Sequence, residues 1–139
     1  MKNKTFWIGF VAVFLVWQAL GYLIHEVMMA GTYEGLAGIF RPEAEMRDMM
    51  WMMMVSGIIQ VFMFCYIFTM GYEGKGIMEG VRYGALIAFL MAGAISIEPH
   101  VIFPLPENVA TIWLISGFVS FMLAGAVFAA IYKPETAAQ

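Results

Sequence analysis

The stretch "YLIHEVMMAG" (22–31) sets His25 beside Glu26 at the end of a long apolar run, and "IEPHV" (97–101) sets Glu98 two residues before His100. Two imidazoles with carboxylates make a donor set that suits zinc or a similar divalent ion. "HEVMM" is not the zinc-protease helix, because Met29 stands where the second histidine would be needed. His25 and His100 could also approach one haem iron from opposite faces, although no haem motif accompanies them. The chain has 14 methionines, and eight of them, Met28, Met29, Met46, Met49, Met50, Met52, Met53 and Met54, fall at the outer half of the first two apolar spans. Thioethers select Cu(I), and Met46, Met49 or Met50, and Met53 would share one face of a helix. Each group also has an ordinary role. Amphipathic side chains anchor helices at membrane boundaries, methionine packs adaptably, and Arg47 can pair with Glu26 or Glu98. The ordinary roles are preferred: no resident cofactor is expected, with Cu or Zn as the alternative and haem behind them.

The elements that must position these residues are membrane helices. The chain is 63% hydrophobic and 12% charged, far from the balance of soluble domains. Its length suits a single domain. A hydrocarbon core of ~30 Å needs about 20 helical residues, and four segments qualify, about 5–28, 43–72, 77–97 and 108–132. "MKNKT" resembles the basic start of a signal peptide. The apolar run after it is longer than a signal core and "VMMAG" lacks the small residue that cleavage prefers, so an uncleaved anchor is expected. Pro42, Glu43, Glu45 and Asp48 suit the first turns of the second helix. Pro99 is expected to stop the third span, and Asn108 to cap the fourth. The expected class is all-α: a polytopic, antiparallel bundle of four transmembrane helices.

Loop charges orient it. With the N-terminus inside, Lys2, Lys4, Lys75, Arg82 and Lys133 face inward, while Arg41 and Arg47 face outward. This bias predicts that both termini are cytoplasmic. Glu73, Glu79 and Glu135 are inside; Glu26, Glu34, Glu43, Glu45, Asp48, Glu98 and Glu107 are outside, an acidic rim that attracts cations. "YEGLAGIFR" (33–41) and "YEGKGIMEGVR" (72–82) echo each other on opposite faces, as an inverted repeat would require, though so short a Gly-rich match arises easily by chance.

Helices in lipid associate through small and polar residues. Ser116, Ser120 and Ala124, with Gly125 and Ala129, should bring the fourth span against Gly84, Ala85, Ala88, Ala92 and Gly93 of the third. Gln18 and Gln60 lie at nearly one depth, and a hydrogen bond between them would spare two amides exposure to lipid. The large side chains of the second span (Trp51, Met52, Phe62, Phe64, Tyr66, Phe68) exceed what four helices can enclose and should face a partner. Cys65, the single cysteine, excludes an internal disulfide and suits a buried, unreactive thiol.

"EGVRYGALIAF" (79–89), "PLP" (104–106), Trp113, Gly125 and "IYKP" (131–134) resemble a group of small bacterial four-helix membrane proteins, mostly uncharacterised. The resemblance covers about the last 60 residues. It implies four spans in a bacterial cytoplasmic membrane and carries no activity.

No nucleophile–base pair, phosphate loop or buried carboxylate pair suggests an enzyme. The seven Lys and Arg are scattered, unlike a nucleic-acid footprint. The expected role is association in the bilayer, as an accessory subunit or a homo-oligomer. The alternatives are an outer-face Cu or Zn binding or transfer protein, and a small transporter with a polar site at Gln18 and Gln60.

Overall fold

The computed structural model describes residues 3–134; Lys2 and Glu135, counted in the loop charges, lie outside them. The described chain is helical. In order, it forms α1 (Lys4–Gly21), a π-helical segment π1 (Tyr22–Met28), α2 (Ala30–Glu34), α3 (Glu43–Asp48), α4 (Met50–Met70), α5 (Ile77–Ala92), a second π-helical segment π2 (Gly93–Ile97), α6 (Glu98–Ile102) and α7 (Glu107–Ile131). Four stretches are long and apolar enough to cross a membrane: Lys4–Met28, Met50–Met70, Ile77–Ile102 and Glu107–Ile131.

Several boundaries differ from expectation. The second helix is not continuous from residue 43; the chain leaves helical geometry at Met49 (φ −101°, ψ 1°), which separates α3 from α4. Pro99 does not stop the third span. It sits in the first turn of α6, where its missing N–H has no helical partner to lose, and the helix runs on to Ile102. Asn108 does not cap α7, which starts one residue earlier behind Pro106 without a side-chain cap. The true side-chain cap is Asn3, whose carbonyl accepts from the N–H groups of Thr5 at 2.9 Å and Phe6 at 3.3 Å. The two echoing segments also part company. Tyr33 and Glu34 end a helix, whereas Tyr72–Gly76 is irregular and leads into one.

The closest approach is between α5 and α7. A Cβ on Gly80 would fall inside the Gly125 carbonyl, one on Gly84 inside the Phe121 carbonyl, and one on Gly125 inside the Gly80 carbonyl. The two backbones touch there, as the small residues of both spans predict. Gly80 and Gly84 form the four-residue glycine pair that lets helices meet so closely. Two hydrogen bonds pin the flanks: Tyr83 Oη donates to the Phe64 carbonyl of α4 at 2.6 Å, and buried Ser96 Oγ donates to the Ala110 carbonyl at 2.5 Å.

The remaining helices attach through aromatic rings. Gly9 of α1 lies against Phe128, close enough that a Cβ would stand 2.8 Å from the ring. Trp17 meets Phe121 edge-on at 4.8 Å, and Phe68 meets Phe128 at 5.5 Å with perpendicular rings. Phe6, Val13, Val61, Phe64, Cys65, Phe68 and Phe128 are all buried in this one cluster. The expected aromatic surface of the second span is therefore only partly outside. Phe64 and Phe68 are core residues and Phe62 packs on Phe6, while Trp51, Met52 and Tyr66 remain exposed. Four helices enclose more than their number suggests, because the α5–α7 contact is so thin.

The chain ends meet at this aromatic end. Asn3 Nδ2 donates to the Lys133 carbonyl at 2.7 Å, and the Lys133 N–H donates to Thr5 Oγ1 at 3.0 Å. Glu79 closes the neighbouring turn, its carboxylate accepting from the N–H groups of Glu73 and Lys75 at 2.6 Å each.

Gly80→Ala should cost about 3 kcal/mol or more, because backbone cannot yield as a side chain can. Gly117→Ala, at a site with nothing within 4 Å, should change little. Thermal melts of both variants in mild detergent test this; equal melting would mean that the helices do not touch at Gly80.

Candidate functional site

At the end away from the chain termini, residues 29–40 fold back over α7. Met29 leaves π1 in a bridge conformation (φ −104°, ψ −2°) and is fully buried. It forms a second apolar cluster with Leu36, Leu105 and Val109, and Gly38 turns the loop at φ +99°, where a side chain would be strained.

This fold-back brings Tyr33 between His25 and Trp113. His25 Nδ1 lies 2.6 Å from Tyr33 Oη, Trp113 Nε1 donates to the same oxygen at 2.9 Å, and Tyr33 Oη reaches Met29 Sδ at 3.4 Å. The His25 and Tyr33 rings are nearly parallel. Burial pushes the Tyr33 phenol above its ordinary range; the Trp113 hydrogen bond opposes that shift and the Glu26 charge adds to it. Tyr33 therefore keeps its proton at neutral pH. Whichever tautomer His25 adopts, Nδ1 is engaged and Nε2 is the ring nitrogen left for another partner.

The other expected site residues are placed differently. Arg47 does not pair with Glu26 or Glu98; it bonds Glu43 one turn back on α3 at 2.7 Å, both side chains being well exposed. A local partner at i−4 needs no tertiary contact, so it wins. Glu26 and Glu98 are exposed, and His100 is half-buried with a buried Nδ1 that has no hydrogen-bond partner among the described residues. Met46 lies on α3 and Met50 and Met53 on α4, so the break at Met49 interrupts the helix face they were expected to share. Among the described residues no group of three or more His, Cys, Asp or Glu is gathered as a metal would require.

Nor do the two glutamines clasp. Gln18 Nε2 donates to Met54 Sδ at 3.7 Å, and Gln60 Nε2 donates to Ser56 Oγ at 3.1 Å on its own helix. Gln18 does lie against α4, its Oε1 within 3.8 Å of where a Cβ on Gly57 would stand. Gln60 is exposed instead, its amide held by Ser56 one turn back on its own helix.

Comparisons with known proteins were negative. No protein family, curated protein or solved structure matches this chain.

The most conspicuous surface feature is the half of α4 beyond Val61. From Met50 to Gln60 every residue but half-buried Gly57 is exposed, so this stretch is bare around nearly its whole circumference; Trp51 is 62% exposed and Met53 68%. Trp51, Met52, Val55, Ser56, Ile59 and Gln60 line a shallow groove of about 290 Å³ along it.

Sequence periodicity missed Tyr33 because the π-helical turns of π1 and the fold-back at Met29 set its distance from His25, and neither follows a 3.6-residue period. Composition offered one hint, a tyrosine between glycines in "GTYEG".

Tyr33→Phe keeps the ring but leaves Trp113 Nε1 and His25 Nδ1 without their partner, at a cost of about 1–3 kcal/mol in thermal stability. The raised phenol pKa makes Tyr33's share of stability complete below about pH 10, the unfolded value, and lost as pH rises through the higher folded value. The wild-type advantage over Tyr33→Phe should thus hold through neutral pH and shrink under alkali; a variant as stable as wild type at pH 7 would refute the network.

Proposed function

We propose that this chain is a small non-catalytic membrane protein that acts by association, as an accessory subunit or a homo-oligomer. The bare half of α4 carries the reading. Gln60 and Ser56 lie exposed in its groove, well inside a span of 21 residues. A primary amide facing hydrocarbon is costly, and a helix exposed on nearly all faces gains nothing from its own chain. Both problems vanish where another protein helix lies along α4.

The membrane is read as a bacterial cytoplasmic membrane, on the resemblance carried by residues 79–134. The four helices form an antiparallel bundle in it, with both termini cytoplasmic. The basic residues support this orientation, and so does the Asn3–Lys133 hydrogen bond, which joins the start of α1 to the end of α7.

Two measurements test these statements. A membrane-impermeant thiol reagent applied to intact cells should reach Glu34→Cys and not Lys75→Cys; the reverse pattern would invert the topology. A photo-crosslinking amino acid at Ile59 in native membranes should give a discrete protein adduct, and lipid adducts alone would remove the association reading.

A further inference from the structure

We infer that the occupant of the α4 groove is α4 of a second copy of this chain, held by reciprocal hydrogen bonds between Gln60 and Ser56. The inference rests on the association reading above and specifies its partner.

The polar groups of the groove are incompletely used. Gln60 spends one N–H on Ser56 Oγ at 3.1 Å, and no other hydrogen bond engages its amide or the Ser56 hydroxyl proton among the described residues. The groove thus offers one acceptor, Gln60 Oε1, and two donors, the second Gln60 N–H and the Ser56 O–H. This set is self-complementary. Across a two-fold axis each copy's Gln60 carbonyl meets a donor of the other, so both amides are satisfied with no further residue type. A partner bearing a net charge would gain nothing, because Trp51, Met52, Val55 and Ile59 are uncharged.

The shape agrees. Met52, Ser56 and Gln60 recur every four residues, as do Trp51, Val55 and Ile59, giving two parallel rows with the small Ser56 in the middle. Rows at four-residue spacing interlock between crossing helices, and a small central residue lets the helices close on each other. Gln18 cannot take the role of Gln60, since it is turned to Met54 within the same chain. The α5–α7 pair is already closed at its glycines, so it offers no second groove of this kind.

The test is energy transfer between donor- and acceptor-labelled copies of the full chain in liposomes, over a series of lipid dilutions. Wild type should associate reversibly. Gln60→Leu should lower the association constant about tenfold, while Gln60→Asn keeps most of it. Gln18→Leu should leave it unchanged. Helix content by circular dichroism confirms that each variant folds; the groove residues are exposed, so none supports the core. A chain monomeric at every dilution, or association indifferent to Gln60→Leu, overturns the inference. Monomers that still give a discrete heterologous protein adduct from Ile59 overturn the second copy alone and leave the association reading standing. Lipid adducts alone overturn both.

Discussion

Contact between two backbones, at Gly80 and Gly84 of α5 and Gly125 of α7, is the constraint from which the rest of the structure follows. In lipid, helices are not driven together by the exclusion of water, so they need surfaces that fit closely or polar groups that pair. Three glycines let the two backbones touch where side chains would otherwise hold them apart. The pair becomes a thin slab, and rings of α1 and α4 can settle on it edge to face. Phe128, wholly buried, is the hub: Phe6, Phe68 and Tyr132 all lie within 6 Å of its ring centre.

That economy has a local range. The aromatic cluster occupies the end where Asn3 meets Lys133, and on the Met50–Gln60 half of α4 the one ring, Trp51, is exposed. What remains there is methionine, tryptophan and two polar side chains facing outward. The opposite end is stabilised differently, by the fold-back of residues 29–40 and the hydroxyl of Tyr33 shared among three neighbours.

Hydropathy made the four helices legible, because a long apolar run has few other uses. The small residues made the α5–α7 contact legible too, through Gly84 and Gly125, although Gly80, which meets Gly125 backbone to backbone, was not among the residues expected and Gly93 lies away from the contact. Three things were hidden. The break at Met49 carries no proline or glycine to announce it. The helix after Pro99 continues because Pro99 falls in the first turn of α6, and the π-helical turns just before it leave no mark on periodicity. Matched depth suggested a Gln18–Gln60 bond, but depth fixes only one coordinate; Gln18 meets Met54 and Gln60 turns to Ser56 on its own helix. A shared membrane level gives the histidines and acids a common height but not a common direction, and among the described residues no three of them are gathered. Arg47 found Glu43 on its own helix before any distant acid could compete.

The hydrogen bonds joining Asn3 and Thr5 to Lys133 have a bearing on how the protein is made. Chains are synthesised from the N-terminus, so of the four long helices α1 is made first and α7 last. Yet α1 rests chiefly on α7: Gly9 receives the Phe128 ring, and Trp17 meets Phe121. The first helix therefore has only its α4 contacts, among them Phe6 with Phe62 and Gln18 with Met54, until α7 has been made. The contact of Asn3 and Thr5 with Lys133 can form only after all four long helices have been made.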